Sequence, residues 1–235
     1  MARQRLGERY YIIKPLGGGS FGQTYLAQDR QRTGNTRCVV KQLQPQTRDL
    51  EMIQTARRLF DREAEVLYRL GNHPQIPGLW THFEDNQQFY LVSEFIAGDR
   101  LSQEITPGKQ LSESDVVFLL HDILQVLEFV HQQQVIHQNI KPQNPIRRQD
   151  GQIVLIDFET VKLLGINAWG MVNISTPGYI PPEQAIGKPR FSSDVYAVGM
   201  MGIFALTGIE PHQLLDDPPT RSVKYHQLKN ADRII

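Results

Sequence analysis

The sequence predicts an α+β fold in two lobes: an antiparallel sheet with one main helix, followed by a mainly helical part. Three observations carry this reading. Short runs of strand-forming residues separated by turns fill the stretch from Tyr10 to about Leu43. A single helical period then covers about Leu50 to Leu70. After about Leu111 the helical spacing dominates.

In the first part, TYLAQDR and RCVVKQL flank QRTGN, whose Thr-Gly-Asn centre predicts a hairpin turn. In the helix that follows, Phe60, Glu63, Leu67 and Leu70 recur at three- and four-residue steps and so share one face. Further strands are expected at Trp80 to Phe83 and Phe89 to Phe95, and a hinge at Ser93 to Gly98. LSESD then offers Ser112 as an N-cap with Asp115 three residues on, and Leu111 as a staple for Val116. Leu120, Ile123, Leu127 and Val130 continue that helix.

The 235 residues, 40 % of them hydrophobic, suffice for one sizeable domain or two small lobes. Lys plus Arg and Asp plus Glu both number 25, a balance that points to neither a nucleic-acid nor a membrane partner. Cys38 is the only cysteine, which excludes a disulfide within the chain and a cysteine-based zinc site. A reducing cytoplasm is the natural setting. MARQRLGERYY lacks the apolar core of a signal peptide. The longest apolar run, Val195 to Leu206, has twelve residues, too short to cross a bilayer and suited to a buried helix.

Four features carry chemistry. Gly17-Gly18-Gly19-Ser20-Phe21-Gly22 lets the backbone approach phosphates, though a glycine-rich turn between strands serves structure alone equally well. A dinucleotide fold would place a helix directly after it, and the strand-forming TYLA stands there instead. Lys41 ends the apolar strand CVVK, and Glu63 lies on the inner face of its helix. A buried carboxylate is costly unless paired, so a cation on the neighbouring strand is its natural partner; the alternative is that both side chains reach water. Ile153 to Ile156 reads as a buried strand, and Asp157 follows it. With the carboxamide of Asn144 it suits a hard cation, unless it only caps a turn. Last, STPGYIPPEQ forms a Pro- and Gly-rich loop before a helix entered through Asp194.

Taken in this order, the glycine loop, the strand Lys, the helix Glu, the H-x-x-x-K-P-x-x-N loop at His137 to Asn144, Asp157-Phe158 and the Pro181-Pro182-Glu183 segment resemble protein kinases. The phrasing LGGGSFGQTYLAQD, HPQIPGL and STPGYIPPEQAIGKP is similar to the bacterial Ser/Thr kinases common in cyanobacteria, over about Tyr10 to Pro211. The resemblance implies a single bilobal kinase-like domain over residues 1–235: an N-lobe at 10–95, a partial C-lobe at 96–211 and an atypical tail at 212–235. It also implies ATP and Mg²⁺ as ligands and an unidentified protein as substrate or partner. Gly17, Gly19 and Gly22 would cover the phosphates, Lys41 held by Glu63 would bind them, and Val39 would roof the adenine. The main chain of Glu94 and Ile96 would hydrogen-bond the adenine, with Ser93 behind it. Asn144 and Asp157 would bind magnesium, Thr176 would sit beside the acceptor hydroxyl, and the catalytic-loop Lys141, two residues after the base position, fits a Ser/Thr rather than a tyrosine kinase. His137, Phe158 and Leu67 would stack, and Asp194 would brace the loop.

The sequence departs from that pattern at Asn139, where the family has the Asp that orients the acceptor hydroxyl and takes its proton. Losing a general base typically costs about 10²–10⁴-fold in rate. Gln138 replaces the family's Arg, Glu159 its Gly after Asp-Phe, and Pro145 deletes an N–H beside Asn144. The family's last helices, which would cover part of the lower lobe and give Glu183 an Arg partner, have no counterpart after Pro211. The expectation is an ATP-binding pseudokinase. A weakly active Ser/Thr kinase and a decaying kinase fragment are the alternatives.

Overall fold

The computed structural model describes residues 5–19, 22–45, 48–158 and 177–214. They fall into two compact units that divide between Ile96 and Ala97.

The first unit is a six-stranded antiparallel sheet with one helix. Its strands are β1 (Arg5–Leu6), β2 (Tyr10–Gly19), β3 (Gly22–Asp29), β4 (Thr36–Leu43), β5 (Leu79–Asp85) and β6 (Gln88–Glu94), in the order β1-β2-β3-β4-β6-β5. The expected hairpin joins β3 to β4. Gly34 and Asn35 carry the positive φ values, 77° and 51°, that a tight hairpin turn requires. Helix α1 (Leu50–Leu70) has the predicted span. Asp49 caps it by accepting from the N–H groups of Glu51 and Met52.

Strand alternation divides the side chains of this sheet. Leu43, Phe89 and Leu91 meet Ala56, Phe60 and Ala64 of α1 in one core, with Leu67 packed against it. Cys38, Val40, Tyr90 and Val92 point the other way and pack with Leu6, Tyr10 and Ala27. On that second face the Tyr90 ring stacks on Phe83 and Phe83 on Tyr10. One feature had no sequence signal: Asp29, fully buried, takes both guanidinium branches of Arg9 at 2.7 and 2.8 Å. The Arg9 hydrogen bonds hold its carboxyl below the usual carboxylate range against the opposing effect of burial.

The second unit holds β7 (Gly98–Arg100), a 3-10 turn (Leu101–Gln103), α2 (Glu113–Gln132), β8 (Pro145–Arg148), β9 (Ile153–Leu155), α3 (Pro182–Ala185), α4 (Phe191–Thr207) and α5 (Pro211–Leu214). Ser112 is the N-cap of α2, as predicted, and accepts from the Asp115 N–H at 3.1 Å. Ile123, Leu127 and Val130 are buried, joined by Val116, Leu119 and Val126. α2 lies against α4 at Gly202, where an added Cβ would meet the end of the Leu120 side chain at 2.9 Å. Asp122 of α2 accepts the Ile153 N–H, fixing β9 to the helix. β9 is wholly buried, as its apolar run predicts, and pairs with β8, which pairs with β7.

The apolar run 195–206 forms α4, but burial is not all-round: Val195 is 49 % exposed and Phe191 at the helix start 39 %. Val117 and Phe118 of α2 are also exposed, at 58 % and 74 %. Among the described residues no helix is long and apolar enough to cross a membrane.

Candidate active site

The predicted site residues fall in both units. In the first, Gly17, Gly18 and Gly19 end β2 and Gly22 opens β3, with Gly19 paired to Gly22. The glycines are not equivalent. A Cβ on Gly17 would meet nothing within 4 Å, whereas one on Gly22 would fall against the Gln42 carbonyl oxygen. Gly22 is therefore needed for the approach of β3 to β4, while the space around Gly17 is open.

Val39 and Lys41 lie on β4, opposite Leu26 and Thr24 of β3 and opposite Ser93 and Leu91 of β6. By strand alternation both share the face of Leu43, the face that α1 covers. Glu63 is 3 % exposed on α1, between Phe60 and Ala64 of that same core. A cation and a carboxylate thus lie on elements that border one core. Glu94 ends β6, and its main-chain N–H is committed to Gly78 O at 2.9 Å, so that donor is not available to a base. Ile96 is 9 % exposed.

In the second unit the loop His137 to Asn144 is built around Asp194. This carboxylate is 1 % exposed, in the first turn of α4. It accepts the main-chain N–H of His137 at 2.9 Å and of Gln138 at 2.8 Å, and lies 2.8 Å from Nε2 of His131. The Gln138 carbonyl accepts from Gln184 of α3 at 2.8 Å, and the Pro142 carbonyl from the Ser102 N–H at 2.7 Å. These bonds hold Gln138 in the left-handed region, φ 63°, which a non-glycine residue adopts only when its surroundings dictate it. The expected bracing role of Asp194 has a clear geometric basis. Glu183 accepts from the Ser193 hydroxyl at 2.8 Å.

His137 is fully buried, and its ring lies 4.3 Å from that of Phe158, the contact expected of this pair. Burial pushes its imidazole below the ordinary value, although Asp194 and Asp157 pull the other way. Its Nδ1 accepts the Asn139 N–H at 3.3 Å, which places the proton of the neutral ring on Nε2.

Asn144 is buried, and Nδ2 donates to Asn139 O at 2.6 Å. Because a carbonyl oxygen only accepts, the amide nitrogen must face it and Oδ1 is the other branch. Its main chain is held at both ends: N–H donates to Lys141 O, and the carbonyl accepts from Ile156. Pro145 starts β8 in register with Leu155, a strand position that tolerates a missing N–H. Asp157 is exposed, at φ 64°.

At Asn139 sequence reasoning missed a contact. Asn139 Nδ2 donates to Asp157 Oδ2 at 3.1 Å. Reading Asn139 as a lost carboxylate overlooked that an amide also adds a donor. Thr176 and Glu159 lie outside the described residues. Among the described residues no three His, Cys, Asp or Glu side chains cluster as a metal site.

The family model described as "Protein kinase domain" matches residues 10–234. The chain is 44 % identical over 233 residues to serine/threonine-protein kinase PknA of Nostoc sp., covering 95 % of this chain and 41 % of that protein. It is also 44 % identical over 221 residues to serine/threonine-protein kinase B of Synechocystis sp., covering 89 % of this chain and 38 % of that one. The chain thus spans less than half the length of these curated relatives. Among solved structures, the kinase domain of Mycobacterium tuberculosis PknI matches with a TM-score of 0.66 at 24 % identity, over 90 % of this chain and 79 % of that one, a likeness of fold. The order of motifs read from the sequence, the antiparallel sheet with its single helix, and these matches agree: the chain belongs to the protein kinase domain family, with Ser/Thr kinases among its relatives.

Proposed function

We propose that the chain is a nucleotide-binding pseudokinase, acting as a scaffold or allosteric partner of another protein. The observation that carries this reading is Asn139 itself. It stands where the family has its Asp, and its amide is bound to Asp157. An amide has essentially no basicity, so Asn139 can orient an acceptor hydroxyl through Oδ1 but cannot take its proton.

Residues within each unit suit ATP with magnesium. Lys41, supported by Glu63, would hold the phosphates beneath the glycine hairpin, and Val39 with the main chain near Glu94 and Ile96 would hold the base. Asp157 and Oδ1 of Asn144 are hard oxygen donors. A pair of them suits a cation that completes its shell with phosphate oxygens and water, and that cation supplies charge neutralisation when bound. Lys141 and Thr176 are assigned to the acceptor side.

A second reading, a weakly active Ser/Thr kinase, is favoured by the order of the loop. Asp194, Gln184 and Asn144 keep it held, and phosphoryl transfer depends mainly on positioning. The test is radiolabelled phosphate transfer from Mg-ATP to a generic basic protein, with melting temperature read in parallel. The wild type should gain stability with Mg-ATP yet transfer phosphate about 10²–10⁴-fold more slowly than Asn139→Asp. Equal transfer by the two, abolished in Lys41→Met, would overturn the pseudokinase reading.

A further inference from the structure

Asp157 is held by a donor that its usual setting in this family lacks. Nδ2 of Asn139 lies 3.1 Å from Oδ2 of Asp157. An ionised carboxylate only accepts, so the contact is an N–H···O⁻ bond, of the stronger charge-assisted kind. The rest of Asn139 is fixed as well: its N–H donates to Nδ1 of His137 and its carbonyl accepts from Asn144. The amide that reaches Asp157 is therefore presented by a rigid backbone, and holding it there loses little further entropy.

Two consequences follow from elementary electrostatics. An aspartate at position 139 would set a second negative charge beside Asp157, and a divalent cation would relieve the repulsion. With asparagine there is no such repulsion, and the site carries one negative charge fewer to attract the cation. In addition, one of the two Asp157 oxygens already has a proton donor, which an entering cation must displace or avoid.

Resting on the nucleotide-binding reading above, we infer that the Asn139 amide takes the place of a divalent cation at Asp157, so that the chain holds a nucleoside triphosphate with little dependence on magnesium. The occupant is thus the triphosphate itself, and cation binding is weakened by the same residue that removes the base.

The experiment uses the whole chain and two variants, Asn139→Asp and Asn139→Ala. Affinity for ATP is measured by calorimetry in EDTA and in saturating magnesium. Binding of Mn²⁺ in the presence of a non-hydrolysable ATP analogue is followed by the paramagnetic resonance of the free ion. In the wild type the magnesium-to-EDTA ratio of affinities should stay within about threefold, and Asn139→Asp should raise it about tenfold or more. Mn²⁺ should bind most tightly to Asn139→Asp, less to Asn139→Ala and least to the wild type. The alanine variant is the discriminating one, since it removes the donor without adding charge. Equal Mn²⁺ affinity in wild type and Asn139→Ala, or the same magnesium ratio in wild type and Asn139→Asp, would overturn this inference and leave the nucleotide-binding reading standing. Absence of ATP binding in all three under both conditions would overturn both. The Asn139 side chain is partly exposed, so neither substitution disturbs a core.

Discussion

Oδ2 of Asp194 lies 2.8 Å from Nε2 of His131 and accepts the His137 N–H at 2.9 Å, while Oδ1 accepts that of Gln138. One carboxylate thus joins α2, α4 and the loop, at 1 % exposure. Its removal in Asp194→Ala leaves three donors without an acceptor and should cost about 3–5 kcal/mol in urea denaturation. His131→Ala removes one partly exposed contact, and its cost should stay near about 1 kcal/mol. Similar losses in the two variants would show that the loop is not organised by Asp194.

The sequence announced elements whose cause is local. The α1 period, the Ser112 cap, the turn at Gly34-Asn35 and the buried run Ile153 to Leu155 each follow from residues close together in the chain. Relations across long separations were legible only through the resemblance, as with Asp194 bracing a loop 56 residues earlier. Pairings with neither a local period nor a motif were not legible at all. Arg9 finding Asp29, Ser193 serving Glu183, and the Asn139 amide reaching Asp157 depend on side-chain directions that spacing does not encode. The uneven burial of α4 escaped for a related reason: an apolar run says which residues avoid water, but not how much neighbouring structure covers them.

His137 makes stability depend on pH. Burial lowers its pKa below the ordinary 6.5, so the native ring is neutral where the unfolded one would be protonated. The unfolded state then binds more protons, and stability declines as pH falls below about 6.5 until the native ring protonates too. The slope can reach about 1.4 kcal/mol per pH unit for one proton. Burial lowers His73 in the same direction, so the difference between variants is what counts. His137→Phe keeps a ring against Phe158 and should flatten the decline in melting temperature between about pH 6.5 and pH 5. An unchanged slope would mean that His137 titrates alike in both states.

Phe118 and Val117 stand 74 % and 58 % exposed on α2, a pair of large apolar side chains facing water. Leu124 of α2 and Val195 of α4, also partly exposed, line a separate shallow groove with Leu127, Glu128, His131 and Gln132. Such surface favours association between copies. Phe118→Ser should leave the melting curve within about 0.5 kcal/mol of wild type, because the ring is not part of a core. Light scattering and sedimentation should nevertheless show less self-association. Identical concentration dependence in the two proteins would remove Phe118 from any such contact.

Gly17 and Gly22 separate the two roles that a glycine-rich turn can have. At Gly22, paired with Leu43, a methyl group would meet the carbonyl oxygen of Gln42, and main chain cannot swing aside as a flexible side chain can. Gly22→Ala should force β3 from β4 and cost about 1–3 kcal/mol, whether or not nucleotide is present. At Gly17 nothing lies within 4 Å, so the same methyl enters open space and the melting temperature of the ligand-free protein should hold or rise slightly. If the backbone at Gly17 approaches the phosphates, that methyl occupies their place and ATP affinity should fall about tenfold. Calorimetry on the two variants reads both effects separately. A Gly17→Ala protein that binds ATP as the wild type does would reduce the first glycine to an ordinary strand residue, and the phosphate contacts would then have to come from the later part of the turn.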